Sequence, residues 1–285
     1  MITCVKDGVL FSAHFFALIA LCRYCSICYT VVMSNIEFVS MMPGLQEIQQ
    51  CKPKPSKHFV PQWFKDTPST LSLNDMPHGP GSAQVGSINF PSTSTVKICP
   101  AFPDFFSQGY VLPMWCDTEL GFNDETQEFL WKTSNDSFAW SIHTNNQFLK
   151  WADASLHGDK AKFVFKAECP WRIITPKGWS VLQLPMFYHY NKNFSVLPGI
   201  IDTDIHHEIN QQVLYHGGKD KITINRGDPF VHYIPFERKS KLGLEIRELT
   251  DIDRKRFQKN EVNIASKFVP NGLYRLMQRE RDKKK

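Results

Sequence analysis

A disulfide framework is absent from this sequence: Cys51, Cys99, Cys116 and Cys169 stand far apart, which argues against a small stapled secreted fold and fits a reducing compartment. No long internal repeat occurs. The basic stretches lack the interleaved aromatic residues on which bases stack, so there is no strong nucleic-acid signal. Excess charge is missing from residues 1–238, which hold nineteen Lys/Arg against twenty-one Asp/Glu. The net charge of +5 belongs to residues 239–285, with fourteen against seven. That tail mixes Arg254, Lys255, Arg256 and the terminal lysines with acids such as Glu280 and Asp282, the pattern of a solvated face and a frayed end. What is plentiful is apolar: 42% hydrophobic and 13% aromatic residues in a chain of 285 supply one substantial core or two small ones.

One long apolar run stands near the start, from Val9 to Met33, with Arg23 as its charged residue. At about 1.5 Å per residue it is long enough to cross a bilayer. Arg23 would cost about 2.5–3.5 kcal/mol at the bilayer centre, and no small-x-small cleavage site of a signal peptide follows. Residues 1–32 are therefore read as a non-native or apolar extension and Met33 as the natural start; membrane attachment holds only if 9–33 is a genuine anchor. Cys22, Cys25 and Cys28 have iron–sulfur spacing without a fourth ligand and read as small apolar residues.

Residues 33–65 form an arm in which PGLQEIQQ predicts one short helix, and Phe59, Trp63 and Phe64 require a place to bury. Residues 66–95, rich in Pro, Ser, Thr and Gly, read as a surface loop or linker. From 96 to 238 short aromatic and β-branched runs alternate with turn signals: YVLPMW, EFLW, SFAWSIH, KFVFKAE, WSVLQLPMFYH, EINQQVLYH, KITIN and FVHYIPF. The expected fold is mainly β, a β-clip or jelly-roll-like body. FPDFFSQGY predicts a helical turn ended by Gly109 in the left-handed conformation. In the tail, 239–285, Thr250 and Asp253 form a cap of the T-x-x-D kind for a basic helix stopped by Pro270.

The stretch GIIDTDIHHEI, residues 199 to 209, carries the most chemistry. If extended, its two-residue period puts Asp202, Asp204, His206 and Glu208 on one face. Such a row suits a divalent cation, or general-base catalysis by Asp202 and Asp204 with His206 and Glu208 as ligand-binding groups. The competing reading is a turn closed by Asp202 and Asp204, with the remaining polar residues in a ladder along a strand edge or between subunits. Lys177, Arg226 and Lys192 are the nearby candidates that could meet a phosphate. His189, His216 and His232 could converge with His206 on a metal, although the cupin signature is absent; isolated strand histidines are more often hydrogen-bonded core or rim residues. Trp171, Trp179, Phe187 and Tyr188 mark either a ligand pocket or core.

Gly199, Ile201, Asp202, Asp204 and Glu208, followed by Gly227 and Asp228, resemble the third motif of the dUTPase and dCTP-deaminase superfamily. The resemblance implies a β-clip-like fold, pyrimidine-nucleotide hydrolysis and a water-orienting role for Asp202. Ile205 stands where that motif has tyrosine, His207 replaces a glycine, and no P-R-S-G segment precedes it. From about Met33 to Arg238, segments such as PGLQEIQQCKPKPSKHFVPQWFK, CPAFPDFFSQGYVLPMWCDTEL and RGDPFVHYIPFER resemble a protein family of large tailed bacteriophages with bacterial relatives. That resemblance implies a soluble viral protein of the host cytoplasm or the virion. The leading expectation is a non-enzymatic structural or binding module that forms a homo-oligomer; a nucleotide-binding, metal-dependent enzyme is the alternative.

Overall fold

A computed structural model describes residues 3–6, 9–12, 35–72, 92–123, 125–126, 128–143, 163–191, 193–215, 221–239, 242–265 and 273–283. The chain divides into two compact units. The first, Met1–Asn35, contains the antiparallel pair β1 (Thr3–Lys6) and β2 (Val9–Ser12). Most of the apolar run, with Cys22, Cys25 and Cys28, lies outside the described residues. No described helix is long and apolar enough to cross a membrane.

The second unit, Ile36–Lys285, is mainly β. Its early strands are β3 (Glu37–Ser40), β4 (Lys54–Pro55), β5 (Thr70–Ser72), β6 (Ser92–Ser94), β7 (Tyr110–Pro113), β8 (Thr118–Asn123) and β9 (Glu128–Thr133). There follow β10 (Trp140–Ile142), β11 (Phe163–Ala167), β12 (Trp171–Ile174), β13 (Trp179–Pro185), β14 (Phe194–Val196), β15 (Gly199–Ile201), β16 (Gln211–Tyr215), β17 (Ile222–Ile224) and β18 (Pro229–Glu237). The helices are α1 (Gln62–Asp66), α2 (Ala101–Phe106), α3 (Asp251–Ala265) and α4 (Leu273–Lys283). A five-stranded sheet runs β15, β13, β18, β7, β4; a four-stranded one runs β10, β11, β16, β14; a three-stranded one runs β17, β8, β9. In the five-stranded sheet no two neighbours are consecutive in sequence, so the chain crosses between sheets as it does in sandwich-like folds.

The aromatic and β-branched runs become strands because alternate side chains find a common core. In β11, Phe165 and Ala167 are buried while Lys166 is half-buried, and Phe165 stacks on Phe129 of β9 with ring centroids 3.6 Å apart. Central β18 departs from alternation: Phe230, Val231, His232 and Tyr233 are all buried. Val231 and Tyr233 join the main core. His232 meets a second apolar cluster, its ring 5.4 Å from that of Phe105 in α2 and its Nε2 bonded to the Gln108 carbonyl at 2.6 Å.

This second cluster receives the arm's aromatic residues. Phe64 packs on Phe102 and Phe106, at 6.1 and 4.8 Å, and the Trp63 indole N–H donates to the Tyr188 carbonyl at 2.7 Å. Tyr188 and Tyr190 have φ of 68° and 51°, a conformation that costs an L residue about 1–2 kcal/mol. Tyr188 is held there by the Trp63 bond and by ring contacts with Phe102, Phe105 and Phe106.

Gly109 follows α2 at φ 64°, as the helical-turn pattern predicts. The T-x-x-D cap is also present: the Asp253 N–H donates to Thr250 Oγ1 at 3.3 Å, and the Thr250 N–H donates to Asp253 Oδ2 at 3.0 Å. Arg247 adds a bidentate ion pair to Asp253 and holds its carboxyl well below the usual range. Residues 266–272 lie outside the described ones. The additional helix α4 touches the body where Gln278 Nε2 donates to Asp104 Oδ2 at 3.1 Å. PGLQEIQQ shortens to a 3-10 turn, Leu45–Glu47. The Pro/Ser/Thr-rich loop is closed by the β5–β6 pair, and its residues 73–91 lie outside the described set.

Candidate functional site

The 199–209 segment does not run extended, and the expected four-residue face is not formed. β15 stops at Ile201. The Asp202 carbonyl then accepts the N–H groups of both Ile205, at 2.9 Å, and His206, at 2.8 Å, turning the chain. Beyond the turn the segment follows β12: the Ile173 N–H donates to the His207 carbonyl at 3.0 Å, and Glu208 bridges to Arg172. The physical reason is turn chemistry reinforced by charge. Three carboxylates along one strand face would repel one another, whereas the turn brings Asp202 and Asp204 to Arg238 and leaves Glu208 to Arg172.

Asp204 turns inward, with a side chain only 4% exposed, and meets Arg238 just beyond β18. Arg238 Nη1 and Nη2 contact its two oxygens at 2.9 and 2.5 Å, and the Gly178 N–H donates to Oδ2 at 2.7 Å. A bidentate guanidinium–carboxylate pair combines charge with fixed geometry. The guanidinium first, and the Gly178 N–H second, hold the Asp204 carboxyl at about 2. Arg238 also reaches Asp202 Oδ1 at 3.0 Å, and the buried Ser180 hydroxyl donates to that same oxygen at 2.6 Å. Arg238 Nη1 further donates to Ser180 Oγ at 2.8 Å and to the Trp179 carbonyl at 3.1 Å. The hairpin is thus fastened to the start of β13 and the end of β18 by one arginine. The buried Thr203 hydroxyl, 2.7 Å from that of Thr175, completes the fastening.

The other members of the row separate. Glu208 pairs with Arg172 Nη2 at 3.0 Å. His207, which is not part of the expected row, has Nδ1 2.9 Å from the Thr203 carbonyl. Asp202, His206 and Glu208 do line one open cleft of about 560 Å3, together with His143, Lys166, Asn210 and Gln212. Asp204 is not among its lining residues. Among the described residues no group of three or more His, Cys, Asp or Glu is gathered closely enough to hold a metal. The set Asp202, Asp204, His206 and Glu208 therefore does not fit a divalent cation.

No family model matches the sequence, and no curated protein matches it. Partial likenesses to solved structures exist. A native EIAV dUTPase is 15% identical, covers 50% of this chain and 86% of its own, and has a TM-score of 0.28. The dUTPase from phage phi11 of S. aureus is 15% identical over 32% of this chain and 75% of its own, with a TM-score of 0.23. A point mutant of that phage enzyme, described with a structural Mg(II) ion, is 12% identical over 39% and 98%, with a TM-score of 0.23. At TM-scores this low the likeness defines neither fold nor activity.

Among the basic residues, Lys177 is exposed beside Gly178, whose N–H meets Asp204. Arg226 does not join the Asp202 cleft. It lines a separate one of about 340 Å3 with Trp115, Cys116 and Phe138, and its N–H donates to Asp117 Oδ1 at 2.8 Å. Lys192 and His216 lie outside the described residues. Among the described histidines, His189 and His232 are taken up separately: His189 Nε2 lies 2.9 Å from the Phe59 carbonyl and His232 Nε2 2.6 Å from that of Gln108, and burial lowers both pKa values. Trp171 is core. Phe187 and Tyr188 line a third cleft, about 500 Å3, with Tyr190, Phe194 and Phe230. Arg238, Ser180 and Lys166 were not singled out by sequence. Arg238 closes a strand and Ser180 opens one, and neither position carries a local signal of an ion pair across 34 residues.

Proposed function

We propose that the chain is a non-enzymatic structural or binding module in which the 199–209 hairpin serves as an ion-paired latch. The observation that carries this reading is the engagement of both aspartates by Arg238. A general base needs a lone pair free to meet water at a pKa near the working pH; Asp204 is nearly buried, bonded at both oxygens and held at about 2. Resemblance to the tailed-phage family supports a viral protein of the host cytoplasm or virion.

Pyrimidine-nucleotide hydrolysis with Asp202 as base is the second reading. One observation favours it: the Asp202 side chain is 52% exposed and lines the cleft with Lys166. A thermal-shift series with nucleoside triphosphates and divalent cations, run beside a pyrophosphate-release assay on wild type and Asp202→Ala, separates the two. The module reading expects no nucleotide-dependent shift and no release. A shift with dUTP that disappears in D202A, accompanied by pyrophosphate, would replace it with the hydrolase.

A further inference from the structure

The third cleft, of about 500 Å3, shares no lining residue with the one that holds Asp202. Its volume falls within the range of about 300–1,000 Å3 usual for small-molecule sites. Two aromatic pairs line it. Phe187 and Tyr188 have ring centroids 6.3 Å apart, and Phe194 and Phe230 have theirs 6.0 Å apart. The second pair is buried, whereas Phe187 and Tyr190 are 48% and 74% exposed, so the cleft runs from open rings to covered ones. Tyr190 has φ 51°, a conformation that crowds the Cβ of an L residue. The Trp63 bond and the ring contacts of Tyr188 account for the same strain there, but among the described rings Tyr190 meets Trp63 alone, at 6.2 Å, and otherwise faces water. Strain spent on an exposed aromatic side chain points to something that side chain is kept to meet.

The charge of the cleft has one sign. Asp228 lines it, and its Oδ2 accepts two neutral donors, the Asn225 N–H at 2.9 Å and Asn225 Nδ2 at 3.2 Å. Among the described residues no lysine or arginine lines the cleft and no cation pairs with Asp228. Arg226, close by in sequence, lines a different cleft. His189 lines this one with Nε2 against the Phe59 carbonyl, and burial lowers its pKa, so it brings no positive charge at neutral pH. An anion would therefore meet a carboxylate and no counter-charge. A cation gains twice, because ring faces attract positive charge within about 6 Å and Asp228 supplies the opposite charge. A metal ion would need several oxygen ligands to replace its water, whereas an alkylated nitrogen suits an aromatic wall. We infer that this cleft binds a small organic ammonium ion, its alkyl groups against Phe187 and Tyr190 and its charge met by Asp228. The inference holds whether or not the Asp202 cleft is catalytic, since the two clefts have no residue in common.

The test is titration calorimetry of the full chain with choline and, in parallel, with its neutral analogue in which a tert-butyl group replaces the trimethylammonium. Saturable choline binding is expected, with the analogue weaker by about tenfold or more. Tyr190→Asn removes a ring while tolerating the left-handed backbone, and Phe187→Leu keeps an apolar side chain without a π face. Each should weaken choline about three- to tenfold. Asp228→Asn, which retains an acceptor for the Asn225 N–H, should do the same by removing the charge. Phe187 and Tyr190 are exposed, so unchanged melting temperatures are expected to show that their variants remain folded. Absence of saturable choline binding would overturn the inference. So would equal affinity for the neutral analogue, which would leave an apolar slot indifferent to charge, or a choline affinity that all three variants leave unaltered.

Discussion

Gly109→Ala probes the contact that lets α2 stop against the central sheet. Gly109 has φ 64°, where an L side chain costs about 1–2 kcal/mol. An added Cβ would stand 2.0 Å from the Tyr233 carbonyl oxygen and 2.9 Å from the Ile234 Cα. Those are backbone atoms of β18, which is paired on one side with β13 and on the other with β7, so they cannot swing aside like the end of a flexible side chain. Forcing them apart adds about 1–3 kcal/mol, while the stiffer unfolded chain returns about 0.4–1 kcal/mol. The net loss is about 3 kcal/mol; at roughly 2–4 °C per kcal/mol for a chain of this size, melting falls by about 6–12 °C. Gly44→Ala is the control. Its φ is 81° but a Cβ there meets nothing within 4 Å, so only the left-handed strain remains, about 1 kcal/mol after the same offset. Scanning fluorimetry on both variants reads the difference. Equal losses would refute the claim that contact with β18, rather than backbone conformation, makes glycine necessary at 109.

Other outcomes follow from the latch and the core. Asp204 is held at about 2, against an ordinary carboxyl value of 3.8, so its contribution is fully present above about pH 4 and is lost as pH falls towards 2. Arg238→Met should abolish that part of the acid limb, seen as a flatter melting-temperature profile between those pH values; an unchanged slope would mean the pair contributes nothing. Phe165→Ala, which removes a fully buried ring stacked on Phe129, should cost about 3–5 kcal/mol in urea unfolding. Trp63→Phe retains a ring but loses the bond to the Tyr188 carbonyl. It should cost about 1 kcal/mol and speed amide exchange in the arm, whereas an unaltered exchange pattern would show that the bond does not secure it.

The strand runs were legible because period-two burial is written locally: Phe165 and Ala167 face the core as their spacing requires. So were the stop at Gly109 and the Thr250–Asp253 cap, since each depends on residues within a few positions. The row of three carboxylates and an imidazole failed for the opposite reason. Alternation assumes an extended chain; the competing reading, a turn at Asp202 and Asp204, was legible from the residue types, but not that the Asp202 carbonyl would accept the bonds that close it. Periodicity likewise described β18 incompletely, because it cannot count how many faces of a strand are covered.

Composition and short-range spacing by themselves determined that this chain is β-rich, with an aromatic core, an aromatic arm that must bury and a capped basic helix in its tail. Only the tertiary structure decided which charges meet. Asp204 and Arg238 are far apart along the chain yet within hydrogen-bonding distance in space, and Coulomb attraction depends on that distance and on what surrounds it, neither of which is encoded in any single stretch of residues.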